Sequence, residues 1–141
     1  MDSRKALQII VILALVGMAL DAFLTFNKIT SSRIGCPVGG GCDIVSNSPY
    51  SEFFGIPVSI FGFGAFMFFM VAALLAINEK IAARTALQLI IAFSAFGLAI
   101  AAWFIYLMYF VIGAICLYCM ASHIMLLLVF GISVIALIKL K

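Results

Sequence analysis

The chain has 141 residues, 67% of them hydrophobic and 9% charged, with a mean hydropathy of +1.37. Soluble domains carry roughly 45–50% apolar and about 25% charged residues, and a compact soluble fold of this composition would leave apolar surface in water that eight basic and five acidic side chains could not keep dispersed. A soluble enzyme is excluded, and a net charge of +3 spread over tails and loops gives no footprint for nucleic acid.

Hydrocarbon about 30 Å thick needs roughly 20 apolar residues per helical span. Residues 6–20 carry no Asp, Glu, Lys or Arg, and the apolar run resumes at 22–27 beyond a lone Asp21. Arg4 and Lys5 ahead of it, with Gly17 and Ala19 at a small-x-small spacing, resemble a cleaved secretory signal. The stretch nevertheless reaches full spanning length after Asp21, so a retained first span over about 6–27 is expected. A loop over about 28–55 follows. Within it Ser48 suits a helix N-cap, Pro49 the first helical position and Gly55 a stop, which predicts a short helix on the membrane surface; an ordinary turn is the other reading. Pro57 opens a second span, about 56–78. Residues 85–138 are again free of charge and would make about 80 Å of unbroken helix. They must fold back as two spans, about 84–110 and 115–138. The chain therefore reads as an all-α integral membrane protein, a four-transmembrane-helix bundle with a short helix in the first outer loop, forming one membrane domain over 1–141.

Four spans put both tails and the 78–84 turn on one side, and the long loop and the turn near Ile112 on the other. The first side carries Arg4, Lys5, Lys80, Arg84, Lys139 and Lys141; the second has Lys28 and Arg33. The excess of basic residues makes both termini cytoplasmic in a cell membrane. Trp103, Tyr106 and Tyr109 suit an interfacial aromatic belt, or lipid-facing packing. All four cysteines, Cys36, Cys42, Cys116 and Cys119, then fall on the outer side, where an oxidising compartment permits disulfides.

Cys116-Leu117-Tyr118-Cys119 is a CxxC pair opening a helix, where orphan amides and the positive dipole end favour a reactive thiolate. A redox pair, two buried small apolar side chains, or half a zinc site are its possible readings. Cys36 and Cys42 enclose Pro37, Val38 and three glycines, so a disulfide here closes a short, pliant loop and adds little chain-entropy stabilisation. That suits a mobile carrier better than a staple. No metal is expected, since an outward, oxidising site favours disulfides over a four-cysteine zinc centre. Together the pairs suggest a relay in which Cys42 reaches Cys116 by thiol exchange. A dithiol at that depth needs a two-electron acceptor soluble in lipid, and a quinone is the candidate.

His123 follows Cys119 by one helical turn and Cys116 by two, so the three project in neighbouring directions. It could hydrogen-bond a quinone oxygen, pass a proton or simply pack against a neighbouring helix. Phe61, with Phe63, Phe66, Phe68, Phe69, Met67 and Met70, could cradle a ring and an isoprenoid tail. Asp21 and Asp43 read as interfacial or loop-capping residues rather than catalytic ones. Gly97 with Ala101, and Ala95 with Ala99, have the spacing of close helix contacts.

Several runs resemble the vitamin K epoxide reductase family: the loop cysteine pair, Cys42-Asp43-Ile44-Val45 with Ser48 beyond it, Gly55-Ile56-Pro57, Ser59-Ile60-Phe61-Gly62, and the CxxC that opens the fourth helix. The resemblance implies that Cys36 receives electrons from a partner's dithiol, Cys42 passes them to Cys116, and Cys119 faces a quinone of menaquinone, ubiquinone or vitamin K type. It also implies that Ser48 orders the loop, with Asp43 beside Cys42 in support. Val58 stands where vertebrate members have an asparagine near the substrate, and His123 where they have a tyrosine. These departures favour quinone reduction over epoxide reduction. Many prokaryotic relatives carry a fused thioredoxin-like domain; 141 residues leave no space for one, so a separate thioredoxin-fold, DsbA-like partner is expected. A DsbB-like disulfide generator shares four spans, four cysteines and quinone, but has its CxxC in the first outer loop. A non-enzymatic membrane adaptor with two structural disulfides is the rival from another class, and it would be inert to thiols.

Overall fold

The structure, a computed structural model, describes residues 2–30, 49, 52–53, 55–113 and 117–140. Four long helices dominate: α1 (Ser3–Ile29), α2 (Val58–Ile77), α3 (Ala83–Tyr106) and α4 (Leu117–Lys139). A π-helical turn, Leu107–Ile112, prolongs α3. The stretches Ser3–Asn27, Val58–Ile77, Ala83–Ile112 and Leu117–Lys139 are each long and apolar enough to cross a membrane. The protein is a four-helix membrane bundle. Its helices are apolar nearly all round, as lipid on one side and protein on the other require, and Phe96 and Phe110 stand 69% and 77% exposed on that outer surface.

Pro57 lacks an amide hydrogen, so it suits the cap position at which α2 begins. The other end of α2 closes on itself: the amides of Asn78 and Lys80 donate to the carbonyls of Leu74 and Leu75, and Glu79 takes a positive φ of 61°. At the end of the third span the ladder widens into the π turn and stops at Gly113, whose φ of 75° is a glycine conformation and whose amide donates to the Met108 carbonyl at 3.0 Å.

Each helix packs on two neighbours, in the ring order α1, α2, α3, α4 and back to α1. At the Ser3 end the core is mainly apolar, with the buried Ser133 bonded within its own helix. Leu7, Ile10 and Ala14 recur at helical spacing on α1 and meet Phe66, Phe69, Ala73 and Ala76 of α2, Leu87 and Ile90 of α3, and Val129 and Ala136 of α4. Small residues permit the closest approaches. A Cβ added to Gly17 would lie 2.6 Å from the Phe66 ring, and one on Gly97 would lie 3.1 Å from Leu126. Ala101 is buried, while Ala95 and Ala99 are exposed. Trp103, Tyr106 and Phe110 form an exposed aromatic ladder, with ring centroids 5.6 and 5.1 Å apart, and Tyr109 is exposed as well.

The short helix expected over 48–55 needs correction. Pro49 sits in a 3-10 turn, but β1 (Glu52–Phe53) pairs antiparallel with β2 (Ile56–Pro57), so no helix runs on to Gly55. The physical reason lies in two residues. Gly55 adopts φ 79°, the conformation a two-residue hairpin turn demands, and Ile56 is held extended by the proline after it. Ser48, the expected N-cap, lies outside the described residues.

Candidate functional site

Among the expected site residues, Cys119, His123, Val58 and Phe61 are described, whereas Cys36, Cys42, Asp43, Ser48 and Cys116 lie outside the described residues. Cys119 is the third residue of α4, in the first turn, where amides have no carbonyl partner within the helix. It is partly buried and packs against a small apolar cluster built on Leu24 and Met108, with Ile105, Ile112, Tyr118 and Met120 around it. The π turn contributes Met108 and Ile112 to this cluster, so the widened end of the third span helps wall the thiol. The Tyr118 ring lies 5.2 Å from that of Phe23, which seats the start of α4 against α1.

A buried polar seam runs beside the thiol. Ser122, one turn beyond Cys119, donates its hydroxyl hydrogen to Oδ1 of Asp21 on α1 at 3.1 Å. One turn along α1, the Thr25 hydroxyl donates to the Asp21 carbonyl at 2.8 Å and lies 2.6 Å from the hydroxyl of Ser59 on α2. The single Thr25 proton is committed to that carbonyl, so Ser59 is the donor in the second bond. Three helices are thus tied together at the end where α2 and α4 begin. Such bonds have no water to compete with them inside a bilayer.

Asp21 is 4% exposed. Its Oδ2 has no hydrogen-bond partner among the described residues, and neither does the buried Nδ1 of His123. Gly62 of α2 makes the room for the carboxyl: a Cβ there would collide with Oδ2 and lie 3.1 Å from Cγ. The expectation that Asp21 is an interfacial or capping residue therefore fails, because α1 continues past it to Ile29 and carries it inside the bundle. An acidic residue within an apolar span was the available signal. Nothing in the sequence marked Ser122 as its partner.

Val58 and Phe61 stand on the first turn of α2, on either side of Ser59; Val58 is half-buried and Phe61 is 50% exposed. The seam therefore joins their helix turn to the turn that carries Cys119. The other aromatics of the expected cradle divide. Phe66 and Phe69 fill the core and Phe68 packs on Phe93 of α3 with ring centroids 4.6 Å apart. A surface cavity of about 430 Å³ lies at the opposite end of the bundle, lined by Arg4, Leu7, Glu79 and Lys80 among others, and contains none of the expected site residues.

A four-span helical bundle that sets the second cysteine of a CxxC into an apolar cluster beside a buried polar seam defines a class of membrane redox protein. The chain belongs to the vitamin K epoxide reductase family, whose pattern it matches over residues 8–134. It is also similar to the thiol-disulfide oxidoreductase LTO1 of Arabidopsis thaliana, 36% identical over 121 residues that cover 80% of this chain. The chain spans 32% of the length of that relative. Family and relative together support a redox function in the membrane.

Proposed function

We propose that the protein is a quinone-dependent thiol-disulfide oxidoreductase that supports disulfide bond formation. A reduced thioredoxin-fold partner delivers two electrons to the Cys36–Cys42 disulfide, exchange passes them to Cys116–Cys119, and a quinone takes them up. Each exchange is attack of a thiolate on a disulfide sulfur, so one S–S bond forms as another breaks and the electron pair moves inward. In the last step two S–H bonds break, one S–S bond forms, and two electrons and two protons end on the quinone. Ser48 and Asp43 order the loop around Cys42, and the whole chain acts as one membrane domain with its cysteines facing out of the cell and its termini in the cytoplasm.

The single observation that carries this reading is the position of Cys119, partly buried in an apolar cluster within the first turn of α4. A lipid-soluble acceptor reaches such a thiol directly from the bilayer. The residues present suit a quinone: apolar side chains for the ring, half-exposed Phe61 and half-buried Val58 at the start of α2, and a His123 Nδ1 with no hydrogen-bond partner among the described residues for a carbonyl oxygen. The acceptor supplies the oxidising power; the chain holds its ring, keeps water out and offers hydrogen bonds.

The test is direct. Purified protein is mixed with a reduced thioredoxin-fold protein and a soluble quinone, and quinone absorbance is followed. Quinone loss that depends on the cysteines is expected; its absence sinks the enzyme reading and leaves the stapled adaptor.

A further inference from the structure

The geometry points to Asp21 as a proton-holding residue of the thiol site, acting on Cys119 through the hydroxyl of Ser122. This rests on the quinone-reducing reading above. Buried hydroxyls elsewhere in the bundle are satisfied within their own helix: Ser94 donates to the Ile91 carbonyl and Ser133 to that of Val129. Asp21 differs from them in three ways. It is ionisable, its Oδ1 is bound from another helix, and its Oδ2 is enclosed with no partner among the described residues. Packing alone does not call for such a group, because an apolar side chain would fill the space opposite Gly62 without enclosing an unsatisfied oxygen.

The surroundings of Asp21 connect it to the thiol. From α2 it meets Gly62, which brings no charge, and Ser59 beyond it is engaged with Thr25. From α4 it meets Ser122, and the same two turns carry Cys119 and His123. Residues three and four apart are neighbours on a helix, so Ser122, whose hydroxyl bonds Asp21, and Cys119 occupy adjacent positions on one face of α4.

Oxidation of the Cys116–Cys119 dithiol releases two protons at sulfur, and two are needed at the quinone oxygens. One of them takes this route: Ser122 accepts the proton leaving Cys119 as it hands its own to the Asp21 carboxylate, and the reverse transfer returns it toward the acceptor. Two S–H bonds are broken, one S–S bond and two O–H bonds are formed, and the carboxyl ends as it began. Asp21 touches neither sulfur nor quinone in this scheme; it works through Ser122 as a positioning residue for the proton.

Asp21→Asn keeps the size and still accepts the Ser122 hydrogen bond, but it cannot take up a proton. The full chain in lipid nanodiscs is driven by dithiothreitol with a soluble quinone as acceptor. Turnover of Asp21→Asn is expected to fall on the order of 10²-fold with the KM for quinone unchanged and gel filtration as in the wild type. Ser122→Ala, which removes the bridge, is expected to lose a similar factor. A second readout needs no quinone: infrared difference spectra followed in time while diamide oxidises the reduced protein should pass through a carboxylic-acid C=O band that is missing in Asp21→Asn. Wild-type turnover in Asp21→Asn, or a difference spectrum without that band, overturns the inference. A wild-type protein that shows the band but reduces no quinone sinks the quinone reading and upholds the proton-holding role of Asp21.

Discussion

Ser122 on α4 and Asp21 on α1 are separated by 101 positions in the chain and meet through one hydrogen bond of 3.1 Å. That bond fixes the rotation of α4 about its axis and hence the direction in which Cys119, one turn earlier, is presented to the Leu24 and Met108 cluster. The seam and the thiol are coupled because they share two turns of one helix.

If the relay runs as proposed, the cysteines divide their labour. Cys119→Ala should abolish quinone reduction with every electron donor. Cys36→Ala should block oxidation of a protein partner yet leave dithiothreitol-driven quinone reduction largely intact, as quinone absorbance would record. A Cys36→Ala protein that cannot use dithiothreitol either contradicts the order of the two pairs.

Glycines at close contacts should not tolerate a methyl group. Gly62→Ala would push its Cβ into the Asp21 carboxylate and Gly17→Ala into the Phe66 ring, and each is expected to destabilise the bundle by about 1–3 kcal/mol. Gly64→Ala and Gly131→Ala meet nothing within 4 Å, so relief of helix glycine should make them neutral or stabilising by about 0.5–1 kcal/mol. Unfolding of the four variants in mixed micelles provides the comparison.

The bond between Thr25 and Ser59 joins α1 to α2 at 2.6 Å. Ser59→Ala removes the donor across the interface, and a loss of about 0.6–2 kcal/mol is expected from the same unfolding measurement. Thr25→Ser keeps the hydroxyl and should lose less; an equal loss in both would assign the effect to packing of the threonine methyl.

Gly113 ends the third span in a left-handed conformation. Gly113→Ala has open space around its Cβ but the wrong φ, so a cost of about 1–2 kcal/mol is expected from backbone strain alone. Met108 and Ile112 on the adjoining π turn wall Cys119, so alkylation of that cysteine by a maleimide should also change in rate. A destabilised variant with unaltered alkylation would separate the turn from the thiol site.

Much of this architecture was legible in the sequence. Charge-free stretches mark the four spans because hydrocarbon tolerates little else, and Cys119, the second cysteine of the CxxC, falls in the first turn of α4. Local punctuation was less decisive at residues 48–57. Pro and Gly end helices and build turns alike, and only the pairing of Phe53 with Ile56 distinguishes the hairpin. The site was half legible. Cysteines declare their chemistry by type and spacing, but the burial of Asp21 depends on which helix lies opposite, and Gly62 and Ser122 acquire meaning only once α2 and α4 are packed against α1.

Gly62 gives the bundle a constraint on how this sequence can change. The carboxyl at position 21 occupies the volume that any side chain at position 62 would claim, so the two sites form one size-matched pair contributed by different helices. A larger residue at 62 becomes acceptable only alongside a shorter one at 21, and that exchange would remove the acid from the membrane interior. Residues 21 and 62 are therefore expected to vary together, with glycine at 62 as the companion of an acidic 21.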